Sequence, residues 1–175
     1  MDISYGRYFI SLELEVRQYS DKFMTNITYR PAHPDDASLC IKIRGLTREN
    51  AFSSEELHAL GITTESWSTG IRDGSCPGFV ACENGRMIGY CFGDRDTGEI
   101  VVLALLPSYE GLGIGKSLLA MMVDQLKNQG LPRVFLACSS DPDVRSYGFY
   151  RHLGWSPTGK RDDSGDDILE LKISN

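Results

Sequence analysis

A glycine-rich loop between an apolar strand and an amphipathic helix constrains this chain more than any other segment. Every residue from Ile100 to Leu106 is apolar, which predicts a strand buried on both faces. The loop that follows contains Gly111, Gly113 and Gly115, and residues 115–129 then show apolar residues at helical spacing. Glycines let the backbone turn tightly and come close to a ligand. The segment therefore predicts a strand, a sharp turn and a helix whose N-terminus faces a bound group.

An anion, and above all a pyrophosphate, is the expected occupant of such a helix N-terminus, because unpaired N–H groups and the helix dipole both favour negative charge. Two common phosphate-binding patterns fit poorly. A dinucleotide fingerprint requires Gly-x-Gly-x-x-Gly, whereas the spacing here is Gly-x-Gly-x-Gly. A Walker A loop ends like Gly115-Lys116-Ser117, but it begins with a glycine where this chain has Glu110. The loop alone also leaves open a turn that binds nothing.

The rest of the hydrophobic pattern predicts one mixed α/β domain. An Asp35 or Asp36 cap opens a first helix, and the Ser-x-x-Glu pattern at Ser53 opens a second. Asn84-Gly85 between two apolar runs predicts a β-hairpin. Further helices are expected at 63–71 and 144–153, strands at 27–31, 78–82, 87–92, 134–138 and 168–173, and a solvated turn at 161–167. The predicted fold class is α/β, with a central mixed sheet flanked by helices.

Residues 1–23 look like an N-terminal extension to a domain over residues 24–175. Apolar and polar residues alternate from Ile10 to Arg17, which is a strand pattern. The extension is interpreted as an extra strand, as a partner-binding segment, or as sequence upstream of the true start. The pattern does not distinguish these three interpretations.

Composition excludes several classes of protein. With 175 residues, the chain has room for one domain with a substantial core. A net charge of −6 argues against nucleic acid, and it suits either an amine-bearing partner or solubility alone. No stretch approaches the roughly 20 apolar residues of a membrane helix. Five scattered cysteines without histidines at ligand spacing predict free thiols in the cytoplasm and no metal.

A second motif lies about one strand and one helix beyond the glycine loop, at Phe149-Tyr150-Arg151-His152-Leu153-Gly154-Trp155. Alone, Tyr150 fits a core aromatic residue. Together, the two motifs resemble the coenzyme A loop and the Phe-Tyr-x-x-x-Gly-Phe/Trp signature of GNAT acetyltransferases. The resemblance covers roughly residues 27–173 and is strongest from 99 to 155. It implies the GNAT acyl-CoA N-acyltransferase fold, and acetyl-CoA as co-substrate without a metal.

The resemblance also implies roles for individual residues. The backbone around the loop would bind the pyrophosphate, and the strand before it would hold the pantetheine and the acetyl carbonyl. These cofactor residues are Leu103, Ala104, Leu105, Glu110, Gly111, Leu112, Gly113, Ile114, Gly115 and Lys116. Tyr150 would protonate the departing thiolate, and Glu99 would act as a base through water. Glu99 also fits an exposed glutamate at a strand edge.

Two positions depart from the family pattern. Glu110 stands where Gln or Arg is usual, so its carboxylate would face the pyrophosphate. Asp143 stands where an Asn commonly begins the last helix and contacts CoA; aspartate still suits an N-cap. Acceptor contacts are expected from the first helices and the strand edge, with Arg44, Asn50, Phe52 and Trp67 as candidates.

The resulting hypothesis is an acetyltransferase acting on a small-molecule or peptide amine by direct attack in a ternary complex. The hypothesis allows the chain to form a homodimer. The alternative is a catalytically idle acyl-CoA-binding module on the same fold. Tyr150 favours the enzyme, because a binding module has no need of an acid beside the sulfur.

Overall fold

The computed structural model describes residues 26–49 and 51–172, and these contain seven strands and five α-helices. The predictions for residues 1–23 and for Asn50 lie outside this part of the chain. The strands are β1 (Ile27–Pro31), β2 (Gly78–Glu83), β3 (Arg86–Gly93), β4 (Ile100–Leu105), β5 (Val134–Cys138), β6 (Ser156–Arg161) and β7 (Asp167–Leu171). The helices are α1 (Ala37–Arg44), α2 (Ser54–Ala59), α3 (Thr64–Asp73), α4 (Ile114–Asn128) and α5 (Arg145–His152).

The first sheet is antiparallel, with the strand order β1-β2-β3-β4. Its central hairpin turns at Asn84 and Gly85, which both have positive φ angles, 48° and 82°. Two consecutive left-handed residues give a turn whose twist matches that of the flanking strands. The predicted hairpin is confirmed.

The second sheet has the order β5-β7-β6 and is also antiparallel. It joins the first sheet where Glu99 and Phe135 form a parallel bridge, and the Phe135 amide donates to the Gly98 carbonyl at 3.1 Å. Beyond this bridge no residue of β4 pairs with β5 among the described residues. The two strands therefore diverge and open a cleft between the sheets. The predicted α/β class is confirmed. The strands form two separate sheets, which are joined at this bridge.

Helices cover both faces of the first sheet. On one face α4 inserts fully buried side chains, Leu118, Met122 and Leu126, between the two sheets. On the other face Trp67 packs edge-on against Tyr90 and Phe92, at centroid distances of 5.5 and 5.2 Å. Each such aromatic pair contributes about 0.5–1.5 kcal/mol beyond its buried area. This packing holds α3 on the sheet.

The predicted cap of the second helix is confirmed, and that of the first helix is confirmed in its position but not in its hydrogen bond. Ser53 and Glu56 form the expected capping box, with bonds of 3.2 and 2.7 Å. Asp36 occupies the N-cap position of the first helix, as predicted, but its side chain makes no cap bond there. The His33 side chain caps the preceding turn, and the Asp36 carboxylate accepts from the His33 amide and from the Arg30 guanidinium. Asp36 is engaged by β1, so α1 begins without a side-chain cap.

Strand β6 was missed. Its six residues, Ser-Pro-Thr-Gly-Lys-Arg, are all exposed and show no apolar alternation. Backbone pairing with β7 holds the strand in place. Hydrophobic periodicity detects strands that bury a face, so this edge strand gave no signal.

Candidate active site

A cleft of about 690 Å³ lies where β4 and β5 diverge. Its walls are β4, the start of α4, the end of β5, most of α5 and the loop between α1 and α2. The two sequence motifs, distant along the chain, meet in this cleft: Gly111, Gly113 and Gly115 line one end, and Phe149 and Tyr150 line its side.

The glycine loop presents an uncapped helix N-terminus to the cleft. Gly111 and Gly113 both have φ angles of 79°, and Gly113 is the N-cap of α4 without a side-chain cap bond. The first intrahelical bond runs from the Ser117 amide to the Gly113 carbonyl at 3.0 Å. The amides of residues 114–116 therefore have no partner within the helix. Unpaired amides and the dipole of a 15-residue helix form an anion site.

The free edge of β4 offers backbone hydrogen-bonding groups to the same cleft. The Leu106 amide donates to the Ile88 carbonyl of β3 at 2.9 Å. Alternate residues of a strand direct their backbone groups to the same side. Ala104 therefore faces β3, while Leu103 and Leu105 direct their amides and carbonyls into the gap toward β5. An extended ligand can pair with this edge as an added strand would.

Glu110, beside the glycine loop, forms ion pairs with two arginines. Its carboxylate pairs with the Arg48 guanidinium at 3.0 Å and with the Arg145 guanidinium. Glu49 completes the group, because its carboxylate accepts from the Arg145 amide at 3.1 Å and so caps α5. These contacts bind the loop after α1 to both walls of the cleft. The expected unbalanced negative charge at Glu110 is instead neutralised by two arginines.

Tyr150 lies on α5 with its ring packed edge-on against Phe149 and Trp155, at centroid distances of 5.0 and 6.1 Å. Burial raises the pKa of its phenol above the ordinary value, and the positive charge of Arg44 only partly opposes this. The phenol is therefore protonated at neutral pH. Tyr150 lines the cleft, and a protonated phenol can donate a proton or a hydrogen bond.

Ser146 provides a further polar group in the cleft. Its hydroxyl is buried and has no hydrogen-bond partner among the described residues. A buried hydroxyl without a partner costs about 1–3 kcal/mol, so a ligand that supplies the partner would be favoured. The cleft thus combines an anion site, a free strand edge and an unsatisfied hydroxyl, and these groups suit the phosphate and amide parts of coenzyme A.

Other residues expected in the site lie outside the cleft walls. Glu99 is half-buried at the bridge to Phe135, and it lines neither cavity found in the described residues. Desolvation, followed by the negative charges of Asp94 and Asp162, raises the pKa of its carboxyl. Leu112 is 63% exposed and does not line the cleft.

Asp143 does not cap the last helix. Val144 is the N-cap, without a side-chain bond, and Asp143 is exposed in the preceding turn, where its amide donates to Asp141. The predicted N-cap at Asp143 is wrong, because Glu49 satisfies the first amide of α5 from the distant α1–α2 loop.

A second cavity of about 350 Å³ adjoins the cleft beneath α2 and α3. Phe52 and Trp67 line it, and Arg44 lines both this cavity and the cleft. Three of the four candidate acceptor residues therefore lie together, and the fourth, Asn50, lies outside the described residues.

Sequence reasoning missed Arg48, Glu49 and Arg145 as parts of the site. Glu49 and Arg145 are 96 residues apart, and no local pattern links them. One local signal was available. Arg145 lies next to the predicted helix start, and an anion-binding cleft would favour a positive charge there.

Two further features concern only residues 26–49 and 51–172. Within them no helix is long and apolar enough to cross a membrane. No group of three or more His, Cys, Asp or Glu side chains there could hold a metal ion.

The sequence of this chain is similar to those of proteins named acetyltransferases. The chain is 28% identical over 142 residues to a mycothiol acetyltransferase from Saccharomonospora viridis, which covers 73% of this chain and 44% of that protein. It is 32% identical over 76 residues to a [ribosomal protein bS18]-alanine N-acetyltransferase from Haemophilus influenzae, which covers 42% of this chain and 51% of that protein. The matches span only about half of each relative.

Solved structures share the fold. The PaiA N-acetyltransferase from Thermoplasma acidophilum in complex with coenzyme A superposes with a TM-score of 0.70 at 22% identity, over 85% of this chain and 99% of that one. YncA from Salmonella typhimurium, solved with acetyl-CoA, gives a TM-score of 0.65 at 18% identity, over 86% and 95% of the two chains.

The family model described as acetyltransferase (GNAT) family matches residues 41–155. This range includes the glycine loop, the strand before it and the Tyr150 motif, and it exceeds half of the chain. The chain belongs to the GNAT acetyltransferase family.

Proposed function

We propose that this chain is an acetyl-CoA-dependent N-acetyltransferase that acts on a primary amine of a small molecule or peptide. One observation carries the proposal: the uncapped N-terminus of α4 and the protonated phenol of Tyr150 line the same cleft. An anion-binding end and a proton donor in one cleft suit a thioester whose diphosphate binds at one end while its sulfur reacts at the other.

Three groups of residues would hold acetyl-CoA. The amides of Ile114, Gly115 and Lys116 would bind the pyrophosphate, and the strand edge at Leu103 and Leu105 would pair with the pantetheine amides. Ser146 would gain a partner for its buried hydroxyl. Arg48 and Arg145 lie close enough to the loop, through their contacts with Glu110, to add positive charge.

The chemistry requires a neutral amine, a donor for the carbonyl oxygen and a proton for the leaving sulfur. Acetyl-CoA supplies an activated acetyl thioester. The amine nitrogen forms a bond to the acetyl carbon as the carbon–sulfur bond breaks, and the amine loses one proton while the sulfur gains one. The Leu103 amide would stabilise the negative charge on the carbonyl oxygen, and Tyr150 would give its proton to the sulfur.

Glu99 is proposed as the base, acting through water. Burial raises the pKa of its carboxyl, and a higher pKa makes the carboxylate a stronger proton acceptor. Glu99 lies at the bridge to Phe135 and does not line the cleft, so at least one water would have to connect its carboxylate with the amine.

The names of the relatives support acetyl transfer and point to different acceptors. One is called a mycothiol acetyltransferase and another acts on an alanine of ribosomal protein bS18. The acceptor of this chain therefore depends on the residues that line its own cavities. We place the activity in the cytoplasm, where free thiols such as Cys40, Cys82 and Cys91 stay reduced.

The test is release of free CoA thiol from acetyl-CoA with a panel of amines, alongside calorimetric titration of the protein with CoA, ATP and NAD. The proposal predicts CoA binding, weak or no binding of ATP and NAD, and amine-dependent thiol release. The position of Glu99 outside the cleft favours the alternative of an idle acyl-CoA-binding module. That alternative predicts CoA binding without thiol release for any amine, and this outcome would overturn the enzyme assignment.

A further inference from the structure

Arg44 occupies the junction of the two cavities. It is the last residue of α1, and it lines both the cleft beside Tyr150 and the smaller cavity beneath α2 and α3. Val101 and Val102 of β4 also line both cavities, so the two spaces adjoin along the same strand. A molecule that extends from the smaller cavity toward the cleft would pass the Arg44 guanidinium.

Arg44 has no acidic partner within the described residues, whereas Arg48 and Arg145, nearby in the cleft, both pair with Glu110. Its guanidinium instead lies over the Phe52 ring, 4.8 Å from the ring centroid. Burial lowers the pKa of Arg44 from its ordinary value, although the guanidinium stays charged. A cation that is partly removed from water without a counter-ion is unfavourable, so an anion would be bound there.

Among the described residues, the wall of the smaller cavity offers the Arg44 guanidinium no negatively charged side chain. Arg44 is the only charged residue among the described residues that line this space. Burial raises the pKa of the Cys76 thiol in its wall to about 11, so the thiol is neutral at physiological pH. The negative partner must therefore come from the ligand, and a carboxylate matches the two parallel donors of a guanidinium.

Apart from Ser66 and Ser75, the remaining wall of the cavity is apolar. Trp67 is fixed edge-on against Phe92, which also lines the space. Other apolar side chains complete the wall: Phe52, Leu57, Leu60 and Ile62. A volume of about 350 Å³ accepts a group as large as an aromatic ring.

We propose that the acceptor is a free α-amino acid with a large apolar side chain, which places its side chain in the smaller cavity and its carboxylate on Arg44. This inference rests on the proposed acetyltransferase function. The α-carbon would then lie at the junction, and the amine would point into the cleft. The positive charge of Arg44 near the amine also disfavours the ammonium form, so it assists formation of the nucleophile.

The chemistry separates this acceptor from the other classes of amine. A peptide N-terminus has an amide where the amino acid has its carboxylate, so Arg44 would remain without an anion. A polyamine would bring further positive charge to the guanidinium and would be repelled. A small amino acid would satisfy Arg44 but leave the apolar cavity unfilled.

The experiment compares kcat/KM for L-phenylalanine, L-phenylalaninamide, L-alanine and spermidine by release of CoA thiol. Phenylalanine and its amide differ only in the carboxylate. The amide group lowers the pKa of the neighbouring amine, so amine reactivity favours phenylalaninamide, and a preference for phenylalanine must arise from binding. We expect phenylalanine to be favoured over its amide by about 10- to 100-fold, the range for a charged hydrogen-bond pair.

Arg44→Gln should remove this preference by lowering kcat/KM for phenylalanine about 10- to 100-fold and that for phenylalaninamide by a much smaller factor, because only phenylalanine loses a partner for its carboxylate. Arg44→Lys, which keeps the charge, should recover part of the preference. Arg72→Gln is the matched control, because Arg72 is an exposed arginine on α3, and it should change neither substrate.

The outcomes separate this inference from the proposed function. Equal or better use of phenylalaninamide or spermidine would overturn the amino-acid acceptor, and equal or better use of alanine would overturn the large apolar side chain; each result leaves acetyl transfer standing. Absence of thiol release with every amine would overturn both. The comparison of phenylalanine with its amide in the unmodified protein needs no variant, so a failure of Arg44→Gln to fold does not prevent the test.

Discussion

The Glu110 carboxylate, which precedes the glycine loop, is hydrogen-bonded to the guanidinium of Arg145, the first residue of α5. Arg48 binds the same carboxylate oxygen at 3.0 Å. Glu110 therefore connects the three segments that surround the anion site, and it occupies two guanidinium groups that would otherwise be available to a phosphate.

Glu110→Gln should tighten CoA binding, because the neutral side chain releases Arg48 and Arg145 and removes a negative charge beside the diphosphate. We expect a gain of about 3- to 10-fold at low ionic strength that shrinks in high salt, as expected of an interaction between partly exposed charges. Calorimetric titration with CoA at two salt concentrations measures it. Glu65→Gln, on the exposed first turn of α3, is the control. Weaker binding by Glu110→Gln would show that Glu110 positions the arginines for the ligand.

Gly113→Ala tests the glycine loop. The φ angle of 79° makes any side chain strained there by about 1–2 kcal/mol, although a Cβ would meet no heavy atom within 4 Å. The methyl group would occupy the space in front of the helix amides, so CoA affinity should fall more than tenfold, by our estimate from loss of several amide contacts at about 1 kcal/mol each.

Gly130→Ala is a matched control for this prediction. Gly130 follows the other end of α4, has a φ angle of 80°, and also has open space around its Cα. Chemical denaturation should show similar destabilisation in both variants, and only Gly113→Ala should lose affinity for CoA. Equal CoA affinity in the two variants would contradict an anion site at the α4 N-terminus.

Much of the fold was predictable because its elements bury apolar faces. The β2–β3 hairpin, β4, α4 and β5 each carry a strong local pattern, and the structure has all four. β6 carries no such pattern, because all its residues are exposed and only backbone pairing holds it. The predicted cap of α5, Asp143, was wrong. The first amide of the helix, that of Arg145, instead donates to Glu49, which lies 96 residues away in the chain.

The site was predictable where one segment forms it. The glycine loop and Tyr150 motif could be recognised, and both line the cleft. The charge balance at Glu110 and the lone guanidinium of Arg44 depend on side chains brought together by the fold. Sequence proximity contains no information on which arginine has an acidic partner.

Ser146→Ala should weaken CoA binding without weakening the fold. The hydroxyl has no partner in the described residues, so its removal should leave the free energy of unfolding unchanged or raise it by about 1 kcal/mol. CoA affinity should fall by about 3- to 10-fold if the ligand supplies the missing partner. Urea denaturation and calorimetry measure the two effects. Loss of stability together with unchanged affinity would contradict a ligand contact at Ser146.

Glu99 should determine the acidic limb of the pH profile. Desolvation and the charges of Asp94 and Asp162 raise the pKa of its carboxyl, so the proton-accepting form appears only as pH rises through that raised value. Glu99→Gln should therefore lower kcat/KM most at pH values above the pKa of Glu99 and below that of the acceptor amine, and be partly rescued at high pH, where the amine is already neutral.

Asp94→Asn provides a second variant for the same prediction. Removing the Asp94 charge should lower the pKa of Glu99 and move the acidic limb of kcat/KM to lower pH. If neither variant alters the profile, Glu99 is a strand-edge glutamate without a role as base.

Tyr150→Phe tests the central claim most directly, by comparing turnover with ligand binding in one variant. The phenylalanine ring preserves the packing against Phe149 and Trp155, so CoA affinity and the melting temperature should stay nearly unchanged. Loss of the proton donor should lower kcat by about 10²–10⁴-fold, the usual range for a general acid. Turnover within a few-fold of the unmodified protein at every pH would contradict the assignment of Tyr150 as the acid.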